Sequence, residues 1–248
     1  MYPFYERIMK TGIRNVCIHK GLMPLDYEKS WKDVWQYATV WDVEKAARDW
    51  PQLNFVIYHT ALRPFLESPD AELAEFEKTG NIRWSTDVAK LVAEKGLKNV
   101  YAEIGTSFAT GAVANPRFAA AFVGQLVNMM GAERVVYGSD SVWYGSPQWQ
   151  IEALRRLEIP DDMMKKMKWK TKLGGADGAV KRKIFGENSA RLYKVPIKAA
   201  LERMTTDQLA VMKREYQREG VERNNAYYGY VPKLAPPSVH AEDATPWV

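Results

Sequence analysis

Internal disulfides are closed to this chain, because its 248 residues contain a single cysteine, Cys17. One thiol in a chain this long fits a reducing compartment, so a cytoplasmic location is the expectation. Cys17 sits in the middle of an apolar run and reads as a small core residue rather than a nucleophile. Long hydrophobic runs are also missing. None approaches the ~18 residues of a membrane span, and the first residues lack the basic-then-apolar order of a signal peptide. Histidine is scarce, with three in the whole chain. Any site that needs imidazole must therefore use His19, His59 or His240.

Hydrophobic residues make up 46% of the sequence, enough for a sizeable core in one large domain or two small ones. The formal net charge is +5. Much of the excess lies in one segment, at Lys165, Lys166, Lys168, Lys170, Lys172, Lys181, Arg182 and Lys183, around Trp169. Such a cluster can bind an anionic partner. No nucleic-acid-binding motif accompanies it, so it reads as a solvated loop, and neither nucleic acid nor membrane is expected as a partner.

Four short apolar runs carry the architecture. Asn15 to Ile18 ends at His19, and Phe55 to Tyr58 ends at His59. Asn99 to Ile104 runs into Gly105-Thr106-Ser107, and Arg134 to Gly138 ends at Asp140. Their β-branched and aromatic residues suit strands buried on both faces. Gly138 implies a close approach by some other group. Helical patterns separate the runs. One has Val43, Ala46 and Ala47 on a face behind Asp42; another covers about Asp70 to Lys78; a third has Val88, Leu91 and Val92. A fourth follows Asn115-Pro116, an N-cap with proline at the first helical position. A fifth follows Ser146-Pro147. This is the rhythm of right-handed β-α units on a parallel sheet, with helices on one face. Ligands gather at the carboxyl ends of such strands, and His19, His59 and Asp140 stand there. His19 and His59, on adjacent strands, should be close neighbours, and Asp140, two strands away, should be farther off.

Beyond Pro160 the pattern is helical: Asp177 to Phe185, a short turn from Asn188 to Tyr193, and Asp207 to Glu219 behind Thr206. The tail from Asn224 is rich in Tyr and Pro and reads as an extended arm, with His240 simply exposed.

In order along residues 3–195, five pieces resemble one family. They are Val16-Cys17-Ile18-His19-Lys20-Gly21, Val56-Ile57-Tyr58-His59, Asn99-Val100-Tyr101-Ala102-Glu103-Ile104-Gly105, Val136-Tyr137-Gly138-Ser139-Asp140, and Ile184 through Tyr193. The family is that of the amidohydrolase-related metal-dependent hydrolases, which also contains aminocarboxymuconate-semialdehyde decarboxylase and related decarboxylases. The resemblance implies an α/β fold, a partial TIM-type (β/α)8 barrel. Its four parallel β-α units match barrel strands five to eight over residues 1–195, and residues 196–248 add a C-terminal helix and tail.

The resemblance also implies roles. His19 matches a metal ligand, His59 a histidine that positions or protonates substrate, and Asp140 a metal ligand or proton carrier. A divalent ion such as zinc, held by imidazole and carboxylate, lowers the pKa of its water to about 7. The strand-end carboxylate then accepts the water proton. Arg63, Trp143 and Tyr144 follow strand ends and are candidates for contacting a small-molecule substrate. The family's first four strands and its His-x-His metal pair have no counterpart here. The expectation is therefore an incomplete site on a chain that self-associates or joins a chain supplying the missing half. Hydrolysis is the leading activity; non-oxidative decarboxylation and an inactive binding remnant are the alternatives.

Overall fold

The structure, a computed structural model, describes residues 1–64 and 68–219. The tail from Asn224 and His240 lie outside the described residues. Four strands form one open sheet in the order β1 (Asn15–His19), β2 (Asn54–Tyr58), β3 (Val100–Glu103) and β4 (Val135–Val136), all parallel. The register places His19 opposite Tyr58, Val56 opposite Tyr101, and Glu103 opposite Val136. Each connection between strands contains helix, as the β-branched runs and their spacing require. This is the arrangement of a partial (β/α)8 barrel.

Alternation sorts the strand side chains onto two faces. Val16, Phe55, Ile57, Val100, Ala102 and Val135 face the helices and join the main core. That core is closed by Phe76, Phe108, Phe118, Phe122 and Leu126, each all but inaccessible. The second face carries Val56, Tyr58, Tyr101 and Val136, covered by Leu192. Cys17 belongs to this second face and is exposed. The expectation that it is a core residue is thus corrected: its neighbour Val16 takes the buried position, and a one-residue step along a strand reverses the side chain.

Two helices start at side-chain caps, whereas Asp42, expected to cap Val43–Asp49, makes no such bond. Ser68 accepts the Asp70 N–H at the start of Pro69–Thr79, and Asn115 accepts the Phe118 N–H at the start of Pro116–Met130. One helix, Gly105–Ala114, lies where the sequence shows no helical pattern. It is buried around much of its girth and rich in alanine and glycine, so it lacks the polar–apolar alternation that marks a surface helix. The last helices, Ile197–Arg203 and Gln208–Glu219, contain no buried residue. Among the described residues no helix is long and apolar enough to cross a membrane.

Candidate functional site

Immediately after β2 the backbone enters the left-handed region at three consecutive residues, His59 (φ 58°), Thr60 (φ 50°) and Ala61 (φ 51°). For residues with a Cβ this conformation costs ~1–2 kcal/mol each. The surroundings offset that cost. The His59 N–H donates to Glu103 Oε2 (3.0 Å), the Thr60 hydroxyl to the Glu103 carbonyl (2.9 Å), and the Ser107 hydroxyl to the His59 carbonyl (2.6 Å). From the other side, Gly21 packs directly on the Ala61 and Leu62 backbone, where no Cβ would fit. The turn swings the His59 ring off the strand and buries it, 6% exposed.

There His59 meets two carboxyl groups. Its Nδ1 lies 3.3 Å from Asp140 Oδ2 and 3.8 Å from Glu103 Oε2. It is aligned for a hydrogen bond with neither, and this buried nitrogen has no partner. His19, on the edge strand, packs its ring against His59 with centroids 4.7 Å apart at 70°. Burial pulls the His59 pKa down to about 4, against a counteracting upward pull from Asp140 and a further lowering by His19.

Glu103 is the residue the strand-end reading passes over. It points from β3 onto the second face, 7% exposed. Its Oε1 accepts the Gly105 N–H at 2.7 Å, and its Oε2 accepts the His59 N–H. Burial pushes its pKa up to about 7, more than those two N–H donors lower it, and nearby Asp140 raises it further. Two glycines make its niche. A Cβ at Gly138 would fall on Glu103 Oε1, and one at Gly105 would lie 2.7 Å from the same oxygen. A lone carboxylate in the apolar run Val-Tyr-Ala-Glu-Ile, with glycines on the neighbouring segments, was the available signal.

Asp140 lies nearer His59 than strand order predicts, which corrects that expectation. Its own backbone is left-handed (φ 45°), and its Oδ2 is held by the Thr106 N–H (3.0 Å) and the Thr106 hydroxyl. The segment after β3 thus draws the carboxylate back across the intervening strand toward β2. Beside this cluster lies a cavity of about 210 Å³ lined by Tyr58, Glu103, Tyr137, Asp140, Ser189 and Tyr193 among others.

The remaining sequence candidates lie elsewhere. The Arg63 guanidinium is buried and bound to both Glu28 carboxylate oxygens and to the carbonyls of Met23, Pro24 and Leu25, and it stacks over Trp84. Trp143 is 84% exposed. Neither Trp143 nor Tyr144 lines the cavity. Within the basic segment Lys181 is buried, while Lys172 and Lys183 pair with Asp161 and Glu133.

The amidohydrolase family profile matches residues 1–195. The chain belongs to the amidohydrolase family. Among solved structures, this amidohydrolase is similar to 5-carboxyvanillate decarboxylase from Sphingomonas paucimobilis. The likeness has 16% sequence identity and a TM-score of 0.38, over 77% of this chain and 52% of that one. The chain therefore spans about half the length of that protein. No curated protein matches it. Members of the family generally use divalent metals. Catalytic zinc usually takes about three protein ligands, and among the described residues no group of three His, Cys, Asp or Glu could hold an ion. The donors among the described residues of this amidohydrolase do not by themselves fit a metal.

Proposed function

We propose that this chain carries acid–base machinery for hydrolysis of a small molecule, built on His59 and Asp140. The observation that carries the reading is the buried, unpartnered Nδ1 of His59, 3.3 Å from Asp140 Oδ2 and 3.8 Å from Glu103 Oε2. A buried nitrogen without a partner costs ~1–3 kcal/mol. A proton shared with a neighbouring carboxylate, or with a substrate atom, removes that cost.

Asp140, the more exposed of the two carboxylates, accepts a proton from the attacking water. His59, neutral at physiological pH, takes up or returns a proton at Nδ1. Glu103 holds the left-handed turn that aims the ring, and as an acid with a pKa of about 7 it can store a proton beside it. His19 and Asp140 are the donors this chain would offer a divalent ion such as zinc; with only these two, we expect weak binding.

The test is turnover of ester, amide and carboxylate substrates by the wild type and by His59→Asn and Asp140→Asn. Hydrolysis reduced by ~10²–10⁴-fold in either variant, the usual share of general acid–base catalysis, supports the reading. Turnover indifferent to both substitutions contradicts it. Release of CO₂ from the carboxylates without ester or amide hydrolysis transfers the same residues to the family's decarboxylase chemistry.

A further inference from the structure

Among the described residues, the cavity beside the acid–base cluster has no Lys or Arg in its walls. Glu103 and Asp140 supply two carboxyl groups, and Tyr58, Tyr137 and Tyr193 supply three electron-rich rings. The arginine nearest in role, Arg63, is consumed by Glu28 and three carbonyls. In the covering segment Arg182 is turned to Glu187, Lys183 to Glu133 and Arg191 to the Glu133 carbonyl, and Lys194 does not line the cavity. An arriving carboxylate would meet two acids and no compensating charge, a costly juxtaposition. One lining group, the buried Tyr137 hydroxyl, has no hydrogen-bond partner. At about 210 Å³ the space is smaller than the ~300 Å³ at which drug-sized pockets begin, so it suits a single substituted ring.

We propose that this cavity takes a ring-borne organic cation, an amidine or a primary amine, and discriminates against carboxylates. The inference rests on the reading of the rim as a small-molecule site. The planar N–H donors of an amidine would be shared between Asp140 and Glu103, with the Tyr137 oxygen as a further acceptor, and the tyrosine rings would add cation–π attraction.

The experiment is calorimetric titration of the purified chain with benzamidine, benzamide and benzoate, which share one shape and differ in charge. Benzamidine should bind at least roughly tenfold more tightly than benzoate, as expected for opposite charges in contact in a half-exposed site. Asp140→Asn and Tyr137→Phe should each narrow the gap, with thermal unfolding checked to confirm that both variants fold. Benzoate binding as tightly as benzamidine overturns the proposal. So does a failure of all three to bind, or benzamidine binding unaffected in both folded variants. Equal binding of benzamidine and benzoate together with His59-dependent ester hydrolysis would overturn this inference and leave the acid–base reading standing. A preference for benzamidine without His59-dependent turnover would do the reverse.

Discussion

Glu103 joins the two halves of the site, because one carboxyl group fixes the backbone of His59 and leans toward its ring. Its niche depends on Gly138, whose missing Cβ leaves room for Oε1. Gly138→Ala should therefore destabilise the protein by ~1–3 kcal/mol, the usual range for overpacking a buried position. Adding Glu103→Ala should recover part of the loss. Urea unfolding of the two single variants and the double variant measures the coupling, and strict additivity would show that the two side chains do not compete for this space.

The pH dependence of stability has a definite sign. The folded Glu103 pKa of about 7 lies above its ordinary 4.5, so its contribution is full below pH 4.5 and is lost as pH rises through 7. The folded His59 pKa of about 4 lies below its ordinary 6.5, so the histidine costs stability as pH falls from 6.5 toward 4. The two trends oppose each other between pH 4.5 and 6.5. Glu103→Gln should remove the decline toward pH 7.5, a slope of at most ~1.4 kcal/mol per pH unit, in denaturant melts taken at successive pH values.

At the scale of elements, the pieces most legible in sequence were those with a strong local pattern. β-branched runs marked all four strands, and Asn115-Pro116 marked its helix to the residue. The helix Gly105–Ala114 was hidden, because a segment buried on several sides has no periodicity to read. The turn carrying His59 was also hidden, since Thr60 and Ala61 have no intrinsic left-handed preference and adopt it only under contacts from β3 and Gly21. The approach of Asp140 to His59 depends on Thr106, a tertiary contact invisible to strand counting.

Asn188 shows how the last matched segment is tied down. Its side-chain amide is fully buried and donates to the carbonyls of Ala132 (2.7 Å) and Val135 (2.8 Å). Asn188→Ala would leave both acceptors without that donor and should cost ~2–4 kcal/mol, read from the shift in the unfolding midpoint. A change below ~0.5 kcal/mol would mean that water replaces the amide.

For the whole molecule, the open sheet is the dominant fact. Among the described residues β1 is paired with a strand on one side alone, whereas β4 is held from outside the sheet by the Asn188 amide on the Val135 carbonyl and, just beyond it, by the Tyr137 N–H on the Ile184 carbonyl. The second face is covered chiefly by Leu192 and leaves Cys17 exposed. Unpaired strand edges and partly covered apolar faces favour association. Sedimentation velocity over a hundredfold range of concentration should show reversible self-association. A single monomeric species throughout would show that the edge is blunted well enough to stand alone.

His59 is buried in neutral form between two carboxyl groups. With only three histidines in the chain, imidazole NMR resonances can be assigned by single substitutions and followed across pH. The His59 midpoint should lie near 4 and move lower still in Asp140→Asn, as the favourable charge is removed. A His59 midpoint at or above 6.5, or one unmoved by Asp140→Asn, would contradict it.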